Sequence, residues 1–122
     1  MSPRLALIIG ALGAFLVGLA LTVTPGAMLA SFGLNTPNEA IVLARDQGVT
    51  LIGLGLINWM ARNATGTPLR ALLAGNLAVQ ALEILVNLIE LAQGLIQPQA
   101  AGGLLIHIVL GAVFVSAMTR AR

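Results

Sequence analysis

The chain contains no cysteine, no tyrosine and no lysine, and very little charge of either sign. Without cysteine there are no disulfides, thiolate metal sites, iron–sulfur clusters or sulfur nucleophiles. A single histidine, His107, excludes the imidazole metal centres that need several such ligands. The absence of tyrosine removes any phenol acid or base. Six arginines and four acids make up 8% of the 122 residues, where a soluble domain carries about 25%. With 58% of residues hydrophobic and a mean hydropathy of +1.00, too little polar surface exists to cover a particle in water. The net charge of +2, one tryptophan and three phenylalanines supply neither a basic face nor a stacking platform, so nucleic acid is excluded as a partner. Ser31 and Ser116 have no triad companions, and no nucleophile–base pair is visible. The residues point away from an enzyme.

What is present is long apolar runs. A helix needs about 20 apolar residues to cross the hydrocarbon core. Residues 5–34 carry no charge, but Pro25-Gly26 interrupts them, which predicts a first span over about 5–23 and a short interfacial helix over 27–34. Further spans are expected over about 40–61, 69–92 and 102–118, the second capped by Asn38 or Thr36. Short connections imply antiparallel neighbours. The expected fold is therefore all-α, a single integral membrane domain over residues 1–122 built as an antiparallel four-transmembrane-helix bundle. Arg4, the apolar run and the small residues Gly18 and Ala20 also fit a signal peptide. The run is longer than a usual signal core, so a retained span is expected.

Arginine placement sets the orientation. Arg4, Arg62, Arg70, Arg120 and Arg122 all fall on one side of these four spans, while the opposite connections carry none. Arginine-bearing connections stay in the cytoplasm, so both termini are expected there. Trp59 and Arg62 read as an interfacial anchor on that side.

Helix surfaces predict the packing. The first span carries Ala6, Gly10, Ala14 and Gly18 at intervals of four, and the second carries Gly48 and Gly55. Small residues let helix backbones approach closely where lipid supplies no hydrophobic drive. Gly10, Ala14, Gly18, Gly48 and Gly55 are thus candidate packing positions, within the chain or against a second copy. The third span carries a polar stripe of Asn76, Gln80, Glu83, Asn87 and Glu90. At roughly 100° per residue these five fall within an arc of about 80°. Such a face must meet protein or water, because polar groups facing hydrocarbon are costly.

The same geometry places Arg45, Asp46, Glu83, Asn87, Glu90 and His107 in the outer half of the bundle. We expect one polar cluster there, centred on Arg45, whose guanidinium can fork the carboxyl oxygens of Glu83 or Glu90. Its simplest role is an interhelical salt bridge that fixes register. Arg45, Glu83, Asn87, Glu90 and His107 are also candidate binders of a ligand headgroup, and intramembrane ionisable residues mark functional sites. No metal site is expected.

A family resemblance adds to this reading. Thr24-Pro25-Gly26, Gly33, Ala44-Arg45-Asp46-Gln47-Gly48, Gly53-Leu54-Gly55-Leu56 and Gly75-Asn76 follow one another along nearly the whole chain. In this order the sequence resembles the small DoxX-like four-helix membrane proteins, including a bacterial branch of unknown function. The resemblance implies a four-helix bundle in a bacterial inner membrane. Members named for a quinone-oxidoreductase subunit bring a quinone into consideration, although the chain carries no redox cofactor motif.

The leading expectation is a non-enzymatic membrane protein, an accessory subunit of a larger complex or a small oligomer, whose partners are the bilayer, other membrane subunits or itself. The alternative is a binding module for a small amphipathic ligand, a quinone, lipid or sterol-like molecule, with no other cofactor. Proton-linked transport is a third, weaker expectation.

Overall fold

The computed structural model describes residues 1–98 and 101–121. Among them are five helices and no strand: α1 (Pro3–Val23), α2 (Pro25–Ser31), α3 (Asn38–Met60), α4 (Gly66–Ala92) and α5 (Ala101–Met118). Three of these, α1, α3 and α4, are long and apolar enough to cross a membrane. In α5 the apolar stretch Gly102–Met118 is shorter, so among the described residues three helices, not the expected four, reach the length and hydropathy of a span.

Local chemistry sets most helix ends. At the start of α1 the Ser2 hydroxyl accepts the Leu5 N–H at 3.3 Å, and Pro3 fills the first helical position, where no N–H is needed. Pro25 ends α1 and opens α2 two residues earlier than the sequence predicts, because the ring that cannot continue one helix suits the first turn of the next. The expected caps of α3 are not used. Pro37 holds the cap position and no side chain bonds the first turn.

The two connections remote from the arginines close alike. Leu34 N–H reaches Leu29 O and Gly33 N–H reaches Ala30 O; Leu95 N–H reaches Glu90 O and Gly94 N–H reaches Leu91 O. Both are Schellman closures, and Gly33 and Gly94 supply the positive φ (72° and 69°) that the motif requires.

The helices form two antiparallel pairs, α1 with α3 and α4 with α5. In the first pair the backbones nearly touch. A Cβ on Gly18 would lie 2.7 Å from the Gly48 carbonyl oxygen, and one on Gly55 would lie 3.0 Å from that of Ala11. Gly18, Gly48 and Gly55 are therefore consumed by the α1–α3 contact within the chain. Gly10 serves a different contact, since its missing Cβ leaves room for the Phe114 ring of α5.

The pairs join at the end that bears Arg4, Arg62, Arg70 and Arg120. There Leu7, Leu73, Phe114 and Ala117 are fully or almost fully buried, with Ala6 and Leu69 beside them. Arg62 closes this end, its guanidinium 4.4 Å from the Trp59 ring centroid and Nη1 donating to Trp59 O at 2.6 Å. Outward-facing positions such as Leu16, Leu43, Met60 and Leu105 are exposed, which in these helices is the surface a bilayer would cover.

Candidate functional site

The polar stripe of α4 faces the space between the two helix pairs. All five of its residues are buried or half-buried, yet they meet different surroundings along the helix.

Nearest the arginine end, Asn76 and Asn58 of α3 exchange two hydrogen bonds, each Nδ2 donating to the other's Oδ1 at 2.8 Å. The second Asn76 N–H reaches Leu72 O at 2.9 Å. Both side chains are buried, so the pair is a satisfied interhelical lock rather than an open site. One turn on, Gln80 Oε1 lies 2.8 Å from His107 Nδ1. The other ring nitrogen, Nε2, faces Glu83. The Nε2–Oε2 distance is 3.9 Å, with the two side chains 26% and 37% exposed. That is ion-pair range if His107 is protonated, and too long for a hydrogen bond.

From the level of Asn76 toward α2 the two pairs leave space between them. A cleft of about 500 Å³ opens between them, within the size range of small-molecule sites. Asn76, Gln80, Glu83, Asn87 and Glu90 line one side with His107, Leu110 and Phe114 of α5. Ala14, Val17 and Leu21 of α1 and Gln47, Thr50, Leu51 and Leu54 of α3 line the other. Met28 and Phe32 border it at the α2 end. Gln47 and Thr50 are exposed as well as lining the cleft, so the cleft reaches the surface beside α3.

Four of the five residues expected to bind a headgroup, Glu83, Asn87, Glu90 and His107, come together here. Arg45 does not. It is exposed and absent from the lining, and the expected pairing with Glu83 or Glu90 is not formed. The acid–base contact found within 4 Å among the described residues is that of His107 with Glu83. The reason is rotational. Gly48 and Gly55 turn one face of α3 onto α1, which leaves Gln47, Thr50, Leu51 and Leu54 toward the cleft. Arg45 lies two residues from Gln47, roughly 200° around the helix. Of the small residues, Ala14 both packs in α1 and lines the cleft wall.

Sequence reasoning missed Gln47 and Thr50. The signal was available: residues 47, 50, 51 and 54 share a helical face, and glycines at 48 and 55 mark the neighbouring face as the contact with α1. Among the described residues no three His, Cys, Asp or Glu side chains gather as a metal ion would require. Comparison of the chain with protein-family models, curated proteins and solved structures finds no match.

Proposed function

We propose that the chain is an integral membrane protein that binds a small amphipathic ligand in the cleft between its helix pairs. The observation that carries this reading is the direction of the α4 stripe. Glu83, Asn87 and Glu90 turn toward a cleft of about 500 Å³ whose remaining wall is largely apolar. A polar head among those side chains and an apolar body against Leu51, Leu54 and Leu110 would satisfy both surfaces. A quinone, a lipid or a sterol-like molecule has this general shape.

In the same reading α5 is a fourth span, both termini are cytoplasmic because the arginines gather at that end, and the membrane is a bacterial inner membrane. The DoxX-like resemblance of the motifs around Arg45 and Gly48 supports that placement.

Protein extracted in mild detergent should carry a bound small molecule in native mass spectrometry. Gly13 lines the cleft, and a Cβ there would meet nothing within 4 Å. Gly13→Phe should therefore fill the cleft and lose the ligand without disturbing the helix contacts. Equal occupancy in that variant would contradict the reading.

A second reading, an accessory subunit or small oligomer, is favoured by Arg45 and Asp46. Both are exposed on a helix long enough to span, where charge facing lipid is costly and a partner helix would relieve it. The glycine stripe no longer supports this reading, since α1 and α3 use it on each other. Co-purification of a second chain, lost on Arg45→Leu, is the outcome that reading requires.

A further inference from the structure

We infer that the ligand of the cleft is a lipophilic cation: an apolar body carrying a positive charge or a protonated amine. This rests on the ligand-binding reading above and adds the sign of the charge. Glu83 and Glu90 line the cleft, while no arginine lines it among the described residues and the chain has no lysine. Arg45 faces away, and Arg62 is engaged with Trp59 at the opposite end.

The neutral polar groups are biased the same way, because the protein spends their donors on itself. Asn87 Nδ2 donates to the Glu83 backbone carbonyl at 2.8 Å, which leaves Asn87 Oδ1 as its other polar atom. Both N–H groups of Asn76 are used, on Asn58 and Leu72. The Thr50 hydroxyl donates to Asp46 O at 2.9 Å. His107 Nδ1 is taken up by Gln80, and its Nε2 faces Glu83. The amides of Gln47 and Gln80 and one N–H of Asn87 remain as donors; the carboxylates of Glu83 and Glu90 and the oxygens of Asn87 and Thr50 offer acceptors. Glu83 has only His107 within 4 Å as a counter-charge, and Glu90 has no cationic partner within that distance among the described residues, so two carboxylates in a largely apolar cleft face at most one protein cation. A bound cation supplies the missing counter-charge, and an anionic headgroup would add a third negative charge. The walls formed by Leu51, Leu54, Val79 and Leu110 suit an apolar body.

Tetraphenylphosphonium and tetraphenylborate, near-identical in size and opposite in charge, provide the test, with a neutral short-chain quinone as the third probe. Equilibrium binding is measured in nanodiscs of uncharged lipid, with protein-free nanodiscs subtracting partition into the bilayer. Tetraphenylphosphonium should bind at least about tenfold more tightly than tetraphenylborate, as expected for one charge-assisted contact. Glu83→Gln and Glu90→Gln, which keep shape and remove charge, should each weaken the cation and not the quinone. Binding of tetraphenylborate or the quinone as tightly as the cation, still lost in Gly13→Phe, overturns the charge inference and leaves the cleft as a ligand site. Failure of all three probes to bind overturns both. Cation binding unchanged in Gly13→Phe and in both Gln variants places the cation elsewhere and also overturns both.

Discussion

The interface between the two helix pairs has two halves built from one stripe on one helix. At the arginine end Asn76 is enclosed by Asn58, with Leu7, Leu73 and Phe114 filling the space around them. Toward α2 the stripe continues as Glu83, Asn87 and Glu90, but the facing helices have drawn apart and the residues are only half-buried. Composition does not separate the halves, since both carry polar side chains at the same spacing. Partnering does. In the closed half amides satisfy each other across the gap; in the open half Glu83 faces His107 within its own helix pair and the other polar atoms turn to their own backbone or to the cleft. A periodic polar face is therefore not one feature, and its role changes with depth along the helix.

The comparison can be broken most severely at the α1–α3 seam that holds one side of the interface rigid. Gly48→Leu would place its Cβ 2.5 Å from Thr22 Oγ1 and 2.7 Å from Gly18 O. Because the second obstacle is backbone, the helices must separate, and a loss of about 3 kcal/mol, the upper end for overpacking, is expected in reversible unfolding. A loss below about 1 kcal/mol would show that the seam is looser than described.

Next comes the lock of the closed half. Asn58→Leu strands a buried Asn76 amide and should lower stability by about 1–2 kcal/mol. The Asn58→Leu/Asn76→Leu double variant should recover most of that loss. Additive losses in this cycle would mean that the two amides do not depend on each other.

The open half should respond far less. Glu83→Gln touches a pair that is partly exposed and 3.9 Å apart, and its effect on stability should stay below about 1 kcal/mol. Its effect belongs to ligand binding. A melting shift as large as that of Asn58→Leu would erase the distinction between the halves.

Arg45→Leu should have the smallest effect on the isolated chain. The expectation from sequence was a buried ion pair, whose loss costs roughly 3–5 kcal/mol. Exposed and outside the cleft, Arg45 should instead change the melting temperature of the monomer by little. A drop of that full size would restore the pairing with Glu83 or Glu90.

These outcomes also show what was legible in the residues. Long apolar runs with few charges located α1, α3 and α4, because helix length and hydropathy are local properties. Pro25, Gly33 and Gly94 announced the breaks, since each imposes a backbone constraint that no distant contact can override. The stripe from Asn76 to Glu90 was readable as one face because helical period alone defines it. Its division into a lock and a cleft was not readable, because that depends on how far α3 stands from α4 at each level. Arg45 was misassigned for a related reason. Depth in the membrane follows from position in sequence, but facing requires knowing which side of α3 the glycines turn onto α1. Once Gly48 and Gly55 are given to that contact, the cleft-facing side follows as Gln47, Thr50, Leu51 and Leu54.

The most direct test of the account is an experimental density map of the protein crystallised from lipid. Non-protein density is expected between Thr50 and Leu54 of α3 and Glu83 and His107 facing them, with Asn58 and Asn76 paired below it. A map in which α4 packs directly on α3 at that level, with Arg45 turned inward onto Glu83 or Glu90, would contradict it.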